Sequence, residues 1–145
     1  KIILKSFTEY VDENAFHPQN IIIGYNSKDI FPEVLKDSIV NLSKALSNQK
    51  DKNVYTYYFS PQIPGEDDPG AFHSCELWYM FGTLKRCWRP FTQKDFDLSE
   101  KMISYWCNFF STGNPNHQNL PEWPKFNNGH KIIEFNYNIS CIDAS

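Results

Sequence analysis

Residues 20–59 constrain the fold more than any other stretch of the chain. NIIIGY at 20–25 is a short, continuous apolar run with β-branched residues, closed by turn-forming Asn26 and Ser27. That is the pattern of a buried strand. Behind Pro32, which suits a first helical position, Val34, Leu35, Ile39, Leu42, Ala45 and Leu46 recur at helical spacing. They predict a helix over 32–49 with one core-facing stripe. A polar turn at 48–53 leads to VYTYYF at 54–59, a strand rich in β-formers. Strand, helix and strand on short connections make a βαβ crossover, so the two strands are expected to be parallel. An apolar run such as Ile21-Ile22-Ile23 suits a sheet covered on both faces. The fold class is therefore α/β.

The rest of the chain extends this unit. Pro61, Pro64, Gly65, Pro69 and Gly70 mark a loop, followed by a short helix over 76–81. A longer helix is expected over 95–112, with Asp97 and Glu100 as its capping pair and Met102, Ile103, Trp106, Phe109 and Phe110 as its apolar face. Gly113-Asn114-Pro115 stops it. Residues 131–136 read as an edge strand. At 145 residues, without a repeat or low-complexity tract, the chain reads as a single domain with no internal linker.

Composition removes several function classes. A net charge of −3 argues against a nucleic-acid partner, which needs a basic face. The longest apolar runs are too short to span a membrane. No signal-peptide pattern follows Lys1, so a soluble chain without a targeting segment is expected. The sequons at Asn41 and Asn138 are about as many as chance supplies, and compartment stays open. Cys75, Cys87, Cys107 and Cys141 form neither a CxxC pair nor a finger spacing, so a structural zinc site is not expected. Their spacing does not decide whether a disulfide forms.

In open parallel α/β sheets, sites gather beyond the carboxyl ends of the strands. Asp29 lies just past the first strand, and His73 lies in the loop after the second. Adjacent strands run about 4.8 Å apart, so the two loops can bring a carboxylate to an imidazole. Such a carboxylate fixes the tautomer and leaves the other ring nitrogen free to take a proton. Other readings compete. Asp29 can instead cap the helix at Pro32, and Glu33, Glu66, Asp67 and Asp68 are rival acids. A metal held by His73 with Glu76 or Cys75 lacks ligands, and a Cys75 nucleophile lacks activating geometry. Trp78, Tyr79, Phe81, Trp88 and Phe91 can line a pocket or pack a core.

The segment GAFHSCELWYMFG resembles the histidine motif of the type B carboxylesterases, the family of the para-nitrobenzyl esterases and cholinesterases. Its G-A-x-H-x-x-E-L-x-Y-x-F-G pattern is matched by Gly70, Ala71, His73, Glu76, Leu77, Tyr79, Phe81 and Gly82. STGNPN at 111–116 and LPEWPKF at 120–126 are similar to the family's T-G-x-P-N and P-x-W-P segments. IIIGYNSKD at 21–29 looks like the strand and acid loop, G-x-N-x-x-E, with Asp29 where the family usually has Glu. The interval from Asp29 to His73 is shorter than in typical members. The resemblance implies the C-terminal part of an α/β-hydrolase fold, a βαβ half-sheet plus C-terminal helices, with no cofactor. It implies His73 as catalytic base and Asp29 as its acid, acting on a small-molecule ester.

The family's G-x-S-x-G elbow does not occur here, because no pair of glycines among 24, 65, 70, 82, 113 and 129 brackets a serine at that spacing. No glycine-rich oxyanion loop occurs either. The chain is therefore expected to be inactive alone and to need a missing N-terminal part of the same enzyme. Two alternatives remain: a fragment of a non-catalytic cholinesterase-like adhesion module, for which an acid–histidine pair serves no purpose, and a stand-alone domain. Half of a parallel sheet leaves an unpaired edge, so self-association through residues 21–25 is also expected.

Overall fold

A computed structural model describes residues 20–144. Strand β1 (Ile21–Asn26) leads through helix α1 (Pro32–Ser47) to strand β2 (Val54–Phe59). A loop then precedes the short helix α2 (Glu76–Met80), a 3-10 turn at Leu84–Arg86 and helix α3 (Gln93–Thr112). Strands β3 (Lys131–Phe135) and β4 (Ser140–Asp143) complete a four-stranded sheet in the order β1-β2-β3-β4. The β1/β2 and β2/β3 pairs are parallel and β3/β4 is antiparallel. The expected crossover is present, with Ile21 opposite Val54 and Asn26 opposite Phe59.

The alternation of β2 divides the core. Val54 and Tyr58 lie on the α1 side, where they pack with Val40 and Leu46 of that helix and with Tyr25, Phe126 and Ile132. Tyr55, Tyr57 and Phe59 face the other side, under α3 and α2. There Trp123 is fully buried, meets Tyr55, Tyr57, Tyr105 and Phe135 edge-on, and donates from Nε1 to the Thr56 carbonyl at 3.0 Å. The high aromatic content thus fills one face of a small sheet. Gly24 on β1 makes room for this layer. A Cβ there would fall 2.3 Å from the Tyr57 ring.

Four expectations are corrected. β3 is an inner strand, not an edge, because β4, which has no strong local pattern, pairs against it. Helix α3 begins at Gln93 because Asp95, not Asp97, closes its capping box. The Asp95 carboxylate accepts the Thr92 N–H and hydroxyl, both at 2.8 Å, while Asp97 takes an amide from Gln93. Asp95 is also fully buried, which its bonds from Tyr79 and Tyr137 hydroxyls make tolerable. Val34 is 66 % exposed beside exposed Ile30 and Phe31, since the core-facing stripe of α1 steps through buried Val40, Ser43 and Leu46 and half-buried Leu35, Ile39 and Leu42. Ser43 sits in that stripe because its hydroxyl meets that of Thr56 at 2.8 Å. Among the described residues no helix is long and apolar enough to cross a membrane.

Candidate active site

The loops after β1 and β2 continue the parallel register beyond the strands. Ser27 N–H bonds to the Phe59 carbonyl and Lys28 N–H to that of Ala71, each at 2.9 Å, and Lys28 bridges Phe72 in parallel. Gly70 permits this approach. Its φ is +59°, and a Cβ there would lie 2.5 Å from the Lys28 side chain. Ser74, with φ of 67°, turns the chain again just after His73. His73 is thus held on a short bulge pressed against the loop of Asp29.

The two residues meet. His73 Nδ1 lies 2.6 Å from Asp29 Oδ1. The second carboxylate oxygen, Oδ2, accepts the backbone N–H of Asn26 at 2.8 Å. An ionised carboxylate can only accept, so Nδ1 carries the proton. In the neutral imidazole Nε2 then holds a free lone pair. The Asp29 side chain is 4 % exposed and that of His73 62 %. The carboxylate is therefore shielded while the ring faces outward, the asymmetry expected of an orienting acid and a working base.

The alternatives separate. Asp29 does not cap α1. The preceding residue is Phe31, in left-handed conformation, without a side-chain cap bond. Glu33, Glu66 and Asp68 are exposed. Asp67 is engaged by Arg89 through two bonds of 2.9 Å, and that guanidinium holds its carboxyl below the usual range. Cys75 is fully buried, and burial pushes its thiol up, which suits packing and not attack. All four cysteines are free thiols. Among the described residues no cluster of three or more His, Cys, Asp or Glu could hold a metal ion.

Of the aromatic residues after His73, Tyr79 is fully buried and bonded to Asp95. Trp78 and Phe91 pack edge-on, while Phe81 and Trp88 are 69 % and 77 % exposed. Two contributors were not legible as such. Arg89 braces the preceding loop through the Pro64 carbonyl and stacks its guanidinium 5.4 Å from the Phe72 ring centre. Asn26, a turn-former by sequence, is buried between the two loops. Its signals were a polar residue ending the first strand and the N position of the G-x-N-x-x-E pattern, neither of which shows what it bonds to.

A family model described as the carboxylesterase family matches residues 6–143. The chain is similar to human cocaine esterase, 44 % identical over 137 residues, covering 88 % of this chain and 23 % of that protein. It is also similar to bovine carboxylesterase 4A, 37 % identical over 90 residues, covering 56 % of this chain and 15 % of that one. Among solved structures, a thermophilic PNB esterase superposes with a TM-score of 0.61 at 26 % identity, over 72 % of this chain and 22 % of its own. An esterase from Clostridium hathewayi superposes at 0.63 and 20 % identity, over 70 % of this chain and 20 % of its own, a likeness of fold. The chain thus spans between 15 % and 23 % of the length of these two curated relatives.

Proposed function

The chain belongs to the carboxylesterase family, and we propose that it is the C-terminal portion of a serine carboxylic-ester hydrolase that supplies the acid and the histidine of the catalytic triad. The observation that carries this reading is the 2.6 Å contact of His73 Nδ1 with shielded Asp29, on adjoining loops past the carboxyl ends of parallel strands. The nucleophile in this reading is a serine on the rest of the protein, since no glycine-flanked serine elbow occurs in the sequence.

The chemistry follows from the free Nε2. It accepts the serine proton as Oγ attacks the ester carbonyl, forming the C–O bond of a tetrahedral intermediate. The imidazolium, stabilised by Asp29, gives that proton to the leaving alcohol as its C–O bond breaks. Water then adds to the acyl-enzyme. Its proton goes to Nε2 and on to the departing serine, and the carboxylic acid leaves. Backbone donors for the oxyanion belong to the missing portion, and such donors supply a large share of the rate.

It follows that the 145-residue chain is inactive alone. Incubated with para-nitrophenyl acetate, it is expected to release nitrophenol no faster than its His73→Ala variant. Turnover well above that variant would show a complete site within these residues and overturn the reading. Turnover that persists in His73→Ala would remove His73 from the chemistry.

The same reading gives the outer side of β1 a natural occupant. β1 ends the sheet among the described residues, and its flank is an apolar cleft lined by Ile22, Gly24, Met80, Trp106, Phe109 and Phe110. An open strand edge beside an apolar surface pairs readily with another strand. In the whole enzyme that strand comes from the missing N-terminal part. In the isolated chain a second copy takes its place. Light scattering is expected to give a mass that climbs above the monomer with concentration. A monomer at every concentration would count against the exposed edge.

A further inference from the structure

Asn26 touches both halves of the acid–histidine pair. Its backbone N–H donates to Asp29 Oδ2 at 2.8 Å. Its side-chain Nδ2 donates to the Phe72 carbonyl at 2.8 Å and to the Glu76 carboxylate. Phe72 immediately precedes His73, and Glu76 follows it by three residues as the first residue of α2. The amide therefore grips the histidine loop on both sides of the ring. Its orientation is forced, since a flipped amide would set Oδ1 against two acceptors. The residue is 2 % exposed, and Oδ1 has no donor among the described residues. A buried acceptor without a donor is rare in native folds and calls for an explanation. A packing role does not give one, since an apolar side chain would fill the space without the orphaned oxygen.

We propose that Asn26 is a positioning residue that clamps the acid loop to the histidine loop and so keeps His73 Nδ1 on Asp29. This rests on the reading of His73 and Asp29 as base and acid. Glu76 serves the clamp as a hydrogen-bond acceptor, so its charge is dispensable. The loops keep a separate tether in the Lys28 N–H to Ala71 carbonyl bond. Loss of the clamp therefore leaves the loops adjacent and frees the ring by a fraction of its contact distance. A shift near 1 Å in a catalytic group costs ~10²-fold in rate.

The test is made in the whole esterase that contains this chain, with para-nitrophenyl acetate as the substrate. Asn26→Ala is expected to lower kcat by ~10²-fold with KM unchanged. Glu76→Ala is expected to move in the same direction, and Glu76→Gln to recover most of the loss, because the amide oxygen accepts the same Nδ2–H. Wild-type kcat in Asn26→Ala, or equal impairment in Glu76→Gln and Glu76→Ala, overturns the clamp. Should Asn26→Ala fail to fold, the half-buried Glu76 pair decides. His73→Ala separates the two levels: its loss of activity beside an unaffected Asn26→Ala sinks the clamp alone. Its full activity sinks the triad reading and the clamp together.

Discussion

His73→Ala, made in a whole esterase carrying this chain, is expected to cut kcat toward para-nitrophenyl esters by about 10⁶-fold, the scale on which loss of a triad histidine acts. The size follows from the absence of a substitute. Among the described residues the other histidines are His117, bonded to the Gln118 carbonyl, and His130, which packs on Phe126. Asp29 is already shielded, with Oδ2 bound to Asn26, and gains no route to the serine proton when the ring is removed. The loss is expected to be catalytic and not structural, since within the described residues the His73 side chain is 62 % exposed and fills no core space. Surface substitutions of that kind usually move stability by about 0.5 kcal/mol or less. Thermal unfolding alongside kcat separates the two. A loss in kcat below the ~10²-fold that general acid–base catalysis contributes at least would assign the base to another residue.

Asp29→Asn is expected to cost about 10⁴-fold in kcat while leaving the fold intact. The reason lies in the two partners of the carboxylate. Oδ2 receives the Asn26 backbone N–H, a donor that cannot turn round. An asparagine must place its carbonyl oxygen there, which directs its NH₂ at His73 Nδ1. Nδ1 then becomes an acceptor and the proton moves to Nε2. That tautomer cannot take the serine proton. Substrate binding does not depend on it, so KM is expected to hold. A kcat within tenfold of wild type would mean that another acid orients the ring and that Asp29 serves only the turn at Asn26.

Much of the fold was readable because its signals are local. β2 occupies 54–59 as its β-branched and aromatic run predicts, and the crossover rule made it parallel to β1. The Gly113 stop for α3 holds, with φ of 75°. What was missed depends on partners distant in sequence. The edge assignment for 131–136 failed because a strand's place in a sheet is set by what pairs with it, and β4 carries little periodicity of its own. The Thr92-x-x-Asp95 capping box is itself a local spacing, whereas the burial of Asp95 depends on Tyr79 and Tyr137, which no local window contains. Ser43 faces the core with its hydroxyl satisfied by the Ile39 carbonyl and by the hydroxyl of Thr56, the latter on a separate strand.

The candidate site divides along the same line. The motif around His73 and the position of Asp29 beyond β1 are properties of the sequence, because residue type and spacing along a strand end are written in one dimension. The sequence alone left Asp29 open between a helix cap and an acid. Only the tertiary structure brings its carboxylate within 2.6 Å of the ring, shields it, and leaves α1 without a side-chain cap. It also gives Asn26 its place between the loops, by donors and acceptors 46 and 50 residues apart in the chain. A hydrogen bond requires alignment within a few tenths of an ångström, and such alignment across distant segments exists only once the sheet has set the loops side by side.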